Sequence, residues 1–257
     1  MNRRDTIWVI AFLVFGVAGV WTFLNWQDRA FPIASIDFKV SRDEAFDLAA
    51  AYAAGQGHNL DGFEHAQTFG YDQAVQIFLQ KTLGLETSNA LARDWVSVWT
   101  WQMRWFKPLE KEEIHVEVDP GGRVVFYEHV ILDTVARASL PIEAARDTAQ
   151  AYLVDRAGIT LNEWDPIESS SEVRKSRTDH TFTYRKRGWS AGDDGHYRAR
   201  VVVKGNRVGR YGEYLHVPES FLRGYREIRS RANLLSQAFS ILWIALAVAV
   251  VVIVARR

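Results

Sequence analysis

Two runs of the sequence, Ile7 to Trp26 and Leu234 to Val254, contain no charged side chain. Each holds about twenty residues, enough for a helix rising about 1.5 Å per residue to cross a hydrocarbon layer roughly 30 Å thick. A chain bracketed in this way is expected to be a membrane protein, and a purely soluble enzyme is excluded. The first run is too long for the apolar core of a cleaved signal peptide. Its far end, Trp21-Thr22-Phe23-Leu24-Asn25-Trp26, lacks the small residues of a cleavage site. Trp8, Trp21 and Trp26 suit the two headgroup belts of a retained anchor.

Charge sets the expected sidedness. Arg3 and Arg4 precede the first run and Asp28 and Arg29 follow it, which places the N-terminus in the cytoplasm. Around the second run Arg223, Arg226, Arg229 and Arg231 oppose Arg256 and Arg257, a contrary vote. The first helix usually dominates, so the expected topology is N-in and C-in, two spans of an inner or plasma membrane, with the middle of the chain extracytoplasmic. A chain that stops so soon after an apolar run is expected to be a piece of a longer product.

The middle segment, roughly 200 residues, can bury one large or two small cores. The whole chain has 31 Lys and Arg against 31 Asp and Glu, and nothing in the middle carries the basic footprint of a nucleic-acid binder. Cysteine is absent, which removes disulfides, thiolate nucleophiles and Cys-type metal sites.

Aligning the middle with itself at an offset of 100 pairs Asp43 with Glu143, Ala45 with Ala145, Ala49 with Ala149 and Tyr52 with Tyr152. With one residue of slip, Gly57, Leu60 and Phe63 face Gly158, Leu161 and Trp164. The pattern predicts one helix–turn–strand unit used twice. Ser41 with Glu44 forms a capping box, and Pro141 suits a first helical turn. The first unit adds a helix over Asp72 to Leu83, a strand over Trp95 to Phe106, and a hairpin over Ile114 to Val118 and Val124 to Ile131 turned at Asp119-Pro120-Gly121-Gly122. The second runs through strands at Glu163 to Ser169, His180 to Arg185, His196 to Lys204 and Arg207 to Leu215. Gly188 to Gly195 reads as a mobile loop. The fold class expected is α+β, two tandem helix-plus-antiparallel-sheet units between two transmembrane helices. The organisation expected is an anchor over 1–26, α+β units over 27–134 and 135–217, a helical stalk over 218–237 and a C-terminal transmembrane helix over 238–257.

Three groups could bind. Trp95, Trp99, Trp101 and Trp105 share one face of the expected strand; either a helix of the same unit covers them or they form a peptide-binding or membrane-apposed face. Arg177, Asp179 and His180 sit among Glu172, Arg174, Lys175, Arg185, Lys186 and Arg187, either a solvated strand face or a surface for lipid headgroups or an acidic segment. Phe221, Tyr225, Ile228, Ala232, Leu235, Phe239 and Leu242 recur at steps of four and three, a short heptad seam that either packs on the chain's own domain or joins two chains as a homodimer. No H-E-x-x-H, phosphate loop or G-x-S-x-G elbow is present. Neither span holds an ionisable residue, so no catalytic residue, metal site or cofactor is expected.

The strings Arg177-Thr178-Asp179-His180-Thr181-Phe182-Thr183 and Val217-Pro218-Glu219-Ser220-Phe221-Leu222-Arg223, with the anchor and a Gly-Arg-Val-Val followed by an Ala-rich helix, resemble the N-terminal part of long bacterial CPBP-family proteins. These are CAAX-protease-like, bacteriocin-processing intramembrane endopeptidases. Their catalytic patterns, E-E-x-x-x-R, F-x-x-x-H and H-x-x-x-N/D, lie in later membrane helices and do not occur here; Glu112-Glu113 is followed four residues on by Glu117. Ser41-Arg42-Asp43-Glu44-Ala45 and Ile142-Glu143-Ala144-Ala145 also resemble PepSY modules, which are associated with restraint or guidance of peptidases. The resemblance implies a non-catalytic, membrane-tethered accessory or regulatory region. Its partners would be the lipid bilayer and the catalytic membrane domain of a protease or a peptide segment. A self-standing extracytoplasmic sensor or scaffold is the alternative.

Overall fold

The computed structural model describes residues 3–30, 36–192 and 194–255. Helix α1 (Arg3–Ala30) contains the stretch Thr6–Gln27, 22 residues with a mean hydropathy of 2.3 and none of its 18-residue apolar window buried. Its polar groups turn inward to the backbone: Thr22 Oγ1 donates to Ala18 O and Asn25 Nδ2 to Trp21 O, both at 2.8 Å. Such back-bonding is how a helix hides hydroxyls and amides from an apolar surrounding. Among the described residues this is the one helix long and apolar enough to cross a membrane. The second apolar run lies within α6 (Glu219–Ala255), which with Val217 and Pro218 forms a compact unit of its own. The side chains of Leu242 and 245–255, and all of Arg256 and Arg257, fall outside the described set.

Between these helices the chain builds α+β structure around one antiparallel sheet. In order come α2 (Arg42–Gly55), β1 (Glu64–Tyr71), α3 (Gln73–Leu83), α4 (Leu85–Asp94), β2 (Trp99–Phe106), β3 (Glu113–Val118) and β4 (Val124–Val130). Then follow α5 (Ile142–Asp155), β5 (Trp164–Val173), β6 (Thr178–Lys186), β7 (His196–Lys204) and β8 (Arg207–His216). The strand order is β1-β2-β3-β4-β8-β7-β6-β5. Each repeat thus supplies four consecutive strands, and the last strand of one pairs with the last strand of the other.

That junction is short: Phe126 faces Gly212, Tyr127 faces Tyr211 and Glu128 faces Arg210. Tyr127 and Tyr211 stand opposite each other, so an approximate two-fold axis through this pair exchanges the halves. By register it carries Arg123 onto Arg207, His129 onto Glu213 and Glu112 onto Tyr197. Alanine explains why both helices lie close to the sheet. Ala45, Ala49 and Ala53 of α2, and Ala145 and Ala149 of α5, have no exposed surface, and side chains this small allow close backbone approach.

Local chemistry sets the element ends. Ser41 and Glu44 form the reciprocal capping box of α2, and Asp72 accepts from Ala74 N and Val75 N at the start of α3. Gly122, at φ 92, completes the β3–β4 turn, where Asp119 O accepts from Gly122 N. Pro141 is the N-cap of α5 rather than its first helical residue.

Two expectations need correction. The strand expected from Trp95 begins at Trp99, because β1 supplies ladder partners only from Tyr71↔Trp99 to Glu64↔Phe106; Trp95 instead ends α4, its N–H bonded to Leu91 O. Within Gly188 to Gly195, expected to be mobile throughout, Ala191 and Gly195 are packed, while Gly188, Ser190, Gly192 and Asp194 are exposed. Ala191 is fully buried, Ala191 and Gly195 bond to each other, and a Cβ on Gly195 would lie 2.5 Å from the Phe78 ring of α3. Asp193 lies outside the described residues.

Candidate functional site

The tryptophan face is covered by its own chain. Trp105 meets Phe46 of α2 with ring centroids 5.6 Å apart, Trp101 meets Phe69 at 4.7 Å and Phe38 at 6.0 Å, and Trp99 stacks on Tyr71 at 4.8 Å. These are cross-strand and helix-to-sheet aromatic pairs of ordinary core type. Trp95 is elsewhere, edge-on to Trp189 and Tyr197.

Arg177, Asp179 and His180 are buried and not a solvated face, a further correction. Arg177 Nε donates to Asp179 Oδ1 at 2.8 Å, and its Nη1 donates to Leu132 O and Val135 O. His180 Nε2 donates to Leu140 O at 2.9 Å, which leaves Nδ1 to accept from Ser171 Oγ at 2.8 Å. The cause is the connector between the halves, residues 131–141, which crosses β6 and offers its carbonyls to this cluster. Charged groups so fully engaged with the backbone hold a crossover in place.

An open cleft lies at one end of the β4/β8 junction. A cleft of about 730 Å³ is walled by the C-terminal ends of α2 and α5, the start of β3, the end of β4, the connector and the β7–β8 hairpin. On its floor His58 Nε2 lies 2.7 Å from Tyr127 Oη, and the hydroxyl of the lining residue Tyr152 is 2.5 Å from that of Tyr52. The His58 and His129 rings meet edge-to-face at 4.4 Å. His129 is oriented from both sides. Arg137 Nη2, which can only donate, lies 3.4 Å from Nδ1, so Nε2 carries the proton and donates to Glu112 Oε1 at 2.7 Å.

Cations predominate along the walls: Lys107, Arg137, Arg156 and Arg207, against Glu112 and Asp155. Glu112 is engaged by His129. Lys107 lies over the Phe63 ring at 4.5 Å, and Arg137 donates to Lys204 O and His129. Among the described residues none of these four cations is ion-paired. Burial, then the neighbouring His129, with Arg137 and Arg207 adding to it and Glu112 opposing, lowers the His58 pKa to about 4. Burial likewise lowers that of His129 against the pull of Glu112. Both imidazoles are neutral near pH 7.

The opposite end of the same junction is filled. There Glu213 accepts from Tyr197 at 2.9 Å, Tyr211 at 2.5 Å and Arg123 Nη1 at 2.9 Å, beneath Trp95 and Trp189. Under the two-fold, Arg123 corresponds to Arg207, Glu213 to His129 and Tyr197 to Glu112. Only the cleft end lacks a carboxylate at the central strand position. The chain matches no protein-family model, no curated protein and no solved structure.

Sequence reasoning did not single out this cleft. The signal lay in the repeat itself: His58 occupies the place held by Ile159 in the second unit, and both follow the same turn, with His58 N bonded to Ala53 O and Ile159 N to Leu153 O. A polar residue where its counterpart is apolar marks a place where two otherwise similar halves have diverged.

Proposed function

We propose that this chain is a membrane-tethered binding module, an accessory or regulatory region of a CPBP-type intramembrane protease whose bond-breaking residues lie outside the chain. The reading has α1 as an uncleaved N-in anchor, Leu234 to Val254 as a second span returning to the cytoplasm, and the α+β domain outside. The observation that carries it is the pairing of an apolar helix, none of whose 18-residue apolar window is buried, with a folded domain that keeps one end of its junction open as a polar cleft. The test is protease protection of spheroplasts, combined with a reporter fused after Arg257. The reading expects the domain to be digested from outside and the reporter to be active in the cytoplasm. A protected domain, or full release by alkaline carbonate, would overturn it.

A second reading, a self-standing sensor or scaffold that homodimerises, is favoured by one feature of α6. Ile228, Leu235 and Phe239 lie at heptad spacing on one unbroken helix and are 64%, 62% and 63% exposed. Light scattering of the solubilised chain beside an Ile228→Ala/Leu235→Ala variant tests it: a dimeric parent that becomes monomeric supports it, and a monomeric parent removes it. Genomic sequence downstream of Arg257 separates the two, since in-frame membrane helices with the catalytic patterns belong only to the first.

A further inference from the structure

We propose that the open end of the β4/β8 junction is a binding site for a small oxyanion, a carboxylate or phosphate group, held by Arg207 and Arg137 beside His58. The proposal rests on the reading of the domain as a binding module and names what it binds.

The two ends of the junction share one backbone plan. At the filled end an arginine just before β4, Arg123, meets a buried carboxylate, Glu213, that also accepts from two tyrosine hydroxyls. At the cleft end the arginine is kept, as Arg207, but the position of Glu213 is taken by His129 and the carboxylate moves one strand outward to Glu112, where it is bonded to that imidazole. The tyrosine equivalent to Tyr211 is Tyr127, and its hydroxyl contacts His58 instead of a carboxylate. One end therefore contains its own anion, and the other presents the matching cation, Arg207, to open space.

Arg137 strengthens the case. Its guanidinium is half-buried, and the two bonds it makes, to Lys204 O and His129 Nδ1, are both 3.4 Å, the long limit for such contacts. A guanidinium offers five donors in a planar fork that matches a carboxylate or phosphate. Burial, then Arg177 and Arg207 nearby, lowers its pKa against the opposing pull of Asp179, so positive charge outweighs negative around it. An oxyanion between Arg137 and Arg207 would supply that compensation in a partly desolvated place, where charge-assisted bonds are strongest. The volume, about 730 Å³, admits a small organic anion or inorganic phosphate with room for water.

The experiment uses the full chain in nanodiscs and isothermal titration calorimetry with three probes: inorganic phosphate, succinate, and the neutral isostere succinamide. Saturable binding of phosphate or succinate at concentrations up to about 10 mM, without succinamide binding, is expected. Arg207→Gln and Arg137→Gln should each weaken it about tenfold or more. Arg93→Gln, on the surface of α4, should leave it unchanged. Arg207 is exposed on a hairpin, so its replacement reports on binding even if Arg137→Gln impairs folding. Phosphate alone binding assigns a phosphate group, succinate alone a carboxylate, and both a general oxyanion site. Binding of neither, equal binding of succinamide, or affinity indifferent to Arg207→Gln overturns the proposal. The protease-protection result is independent of all these outcomes, so a failed ligand and a failed tether are told apart.

Discussion

The hydroxyls of Tyr52 and Tyr152, one hundred residues apart in the chain, meet at 2.5 Å between the two helices that cover the sheet. Burial raises both pKa values, so both groups are neutral and one donates to the other. The contact joins equivalent positions across an approximate two-fold axis. Tyr52→Phe and Tyr152→Phe should each cost about 0.5–1.5 kcal/mol, and the double variant should cost little more than either single one. Chemical denaturation of the four proteins completes the cycle; strictly additive losses would show that the hydroxyls do not interact.

Acid should destabilise the domain through His58. Folding lowers its pKa from 6.5 to about 4, so the unfolded chain binds the proton more readily and stability falls as pH falls through that window. His129, Glu112, Arg137, Arg207 and Tyr127 face the ring, and of these Glu112 alone works against the effect. Since the ring is partly exposed, the loss is about 1 kcal/mol, or roughly 2–4 °C in Tm. Melting curves at pH 7 and pH 4.5 for the parent and His58→Gln check this: the acid-induced drop should be smaller in the variant.

Removing Arg177 should be among the most damaging single changes. Arg177→Ala removes the donor to Asp179 Oδ1 and to two connector carbonyls, leaving the buried carboxylate only the longer 3.4 Å ion pair from Arg174 Nε to Oδ2. The expected cost is about 3–5 kcal/mol, with substantial recovery in Arg177→Met/Asp179→Leu. A loss below about 1 kcal/mol in urea denaturation would mean that water replaces the guanidinium.

The helix-to-sheet contacts leave no room for growth. Ala149→Leu, at a position with no exposed surface, should cost about 1–3 kcal/mol by overpacking. Ala51→Leu, on the exposed side of α2, should fall within about 0.5 kcal/mol of the parent. Thermal melts of the two variants give the comparison.

Much of the local structure was legible from residues close in sequence. Ser41 and Glu44 define a cap within one turn, Asp119 to Gly122 define a hairpin, and the run His196 to Lys204 alternates as a strand with one buried face must. The repeat was legible because Ala45, Ala49 and Tyr52 do the same packing work as Ala145, Ala149 and Tyr152. What could not be read was set by pairings distant in sequence. β1 alternates too weakly to be noticed without β2 beside it. Arg177 looks like one more cation in a basic run until the connector is seen lying across it. His58, Glu112, His129, Arg137 and Arg207 become a site only when β4 meets β8, and no spacing among them announces that meeting.

The position of β8 in the sheet has a mechanical meaning. It is the last strand in the chain and lies between β4 and β7, while α6 begins only three residues after its end. Tension applied through α6 therefore enters near the middle of the sheet, not at an edge, and loads two antiparallel ladders at once. One of them, to β7, is long; the other, to β4, spans three residue pairs and closes the cleft. Under load the shorter ladder is the one to slip, and a pull on the C-terminal helix enters it at the filled end, beside Glu213, with the cleft at the far end of the strand.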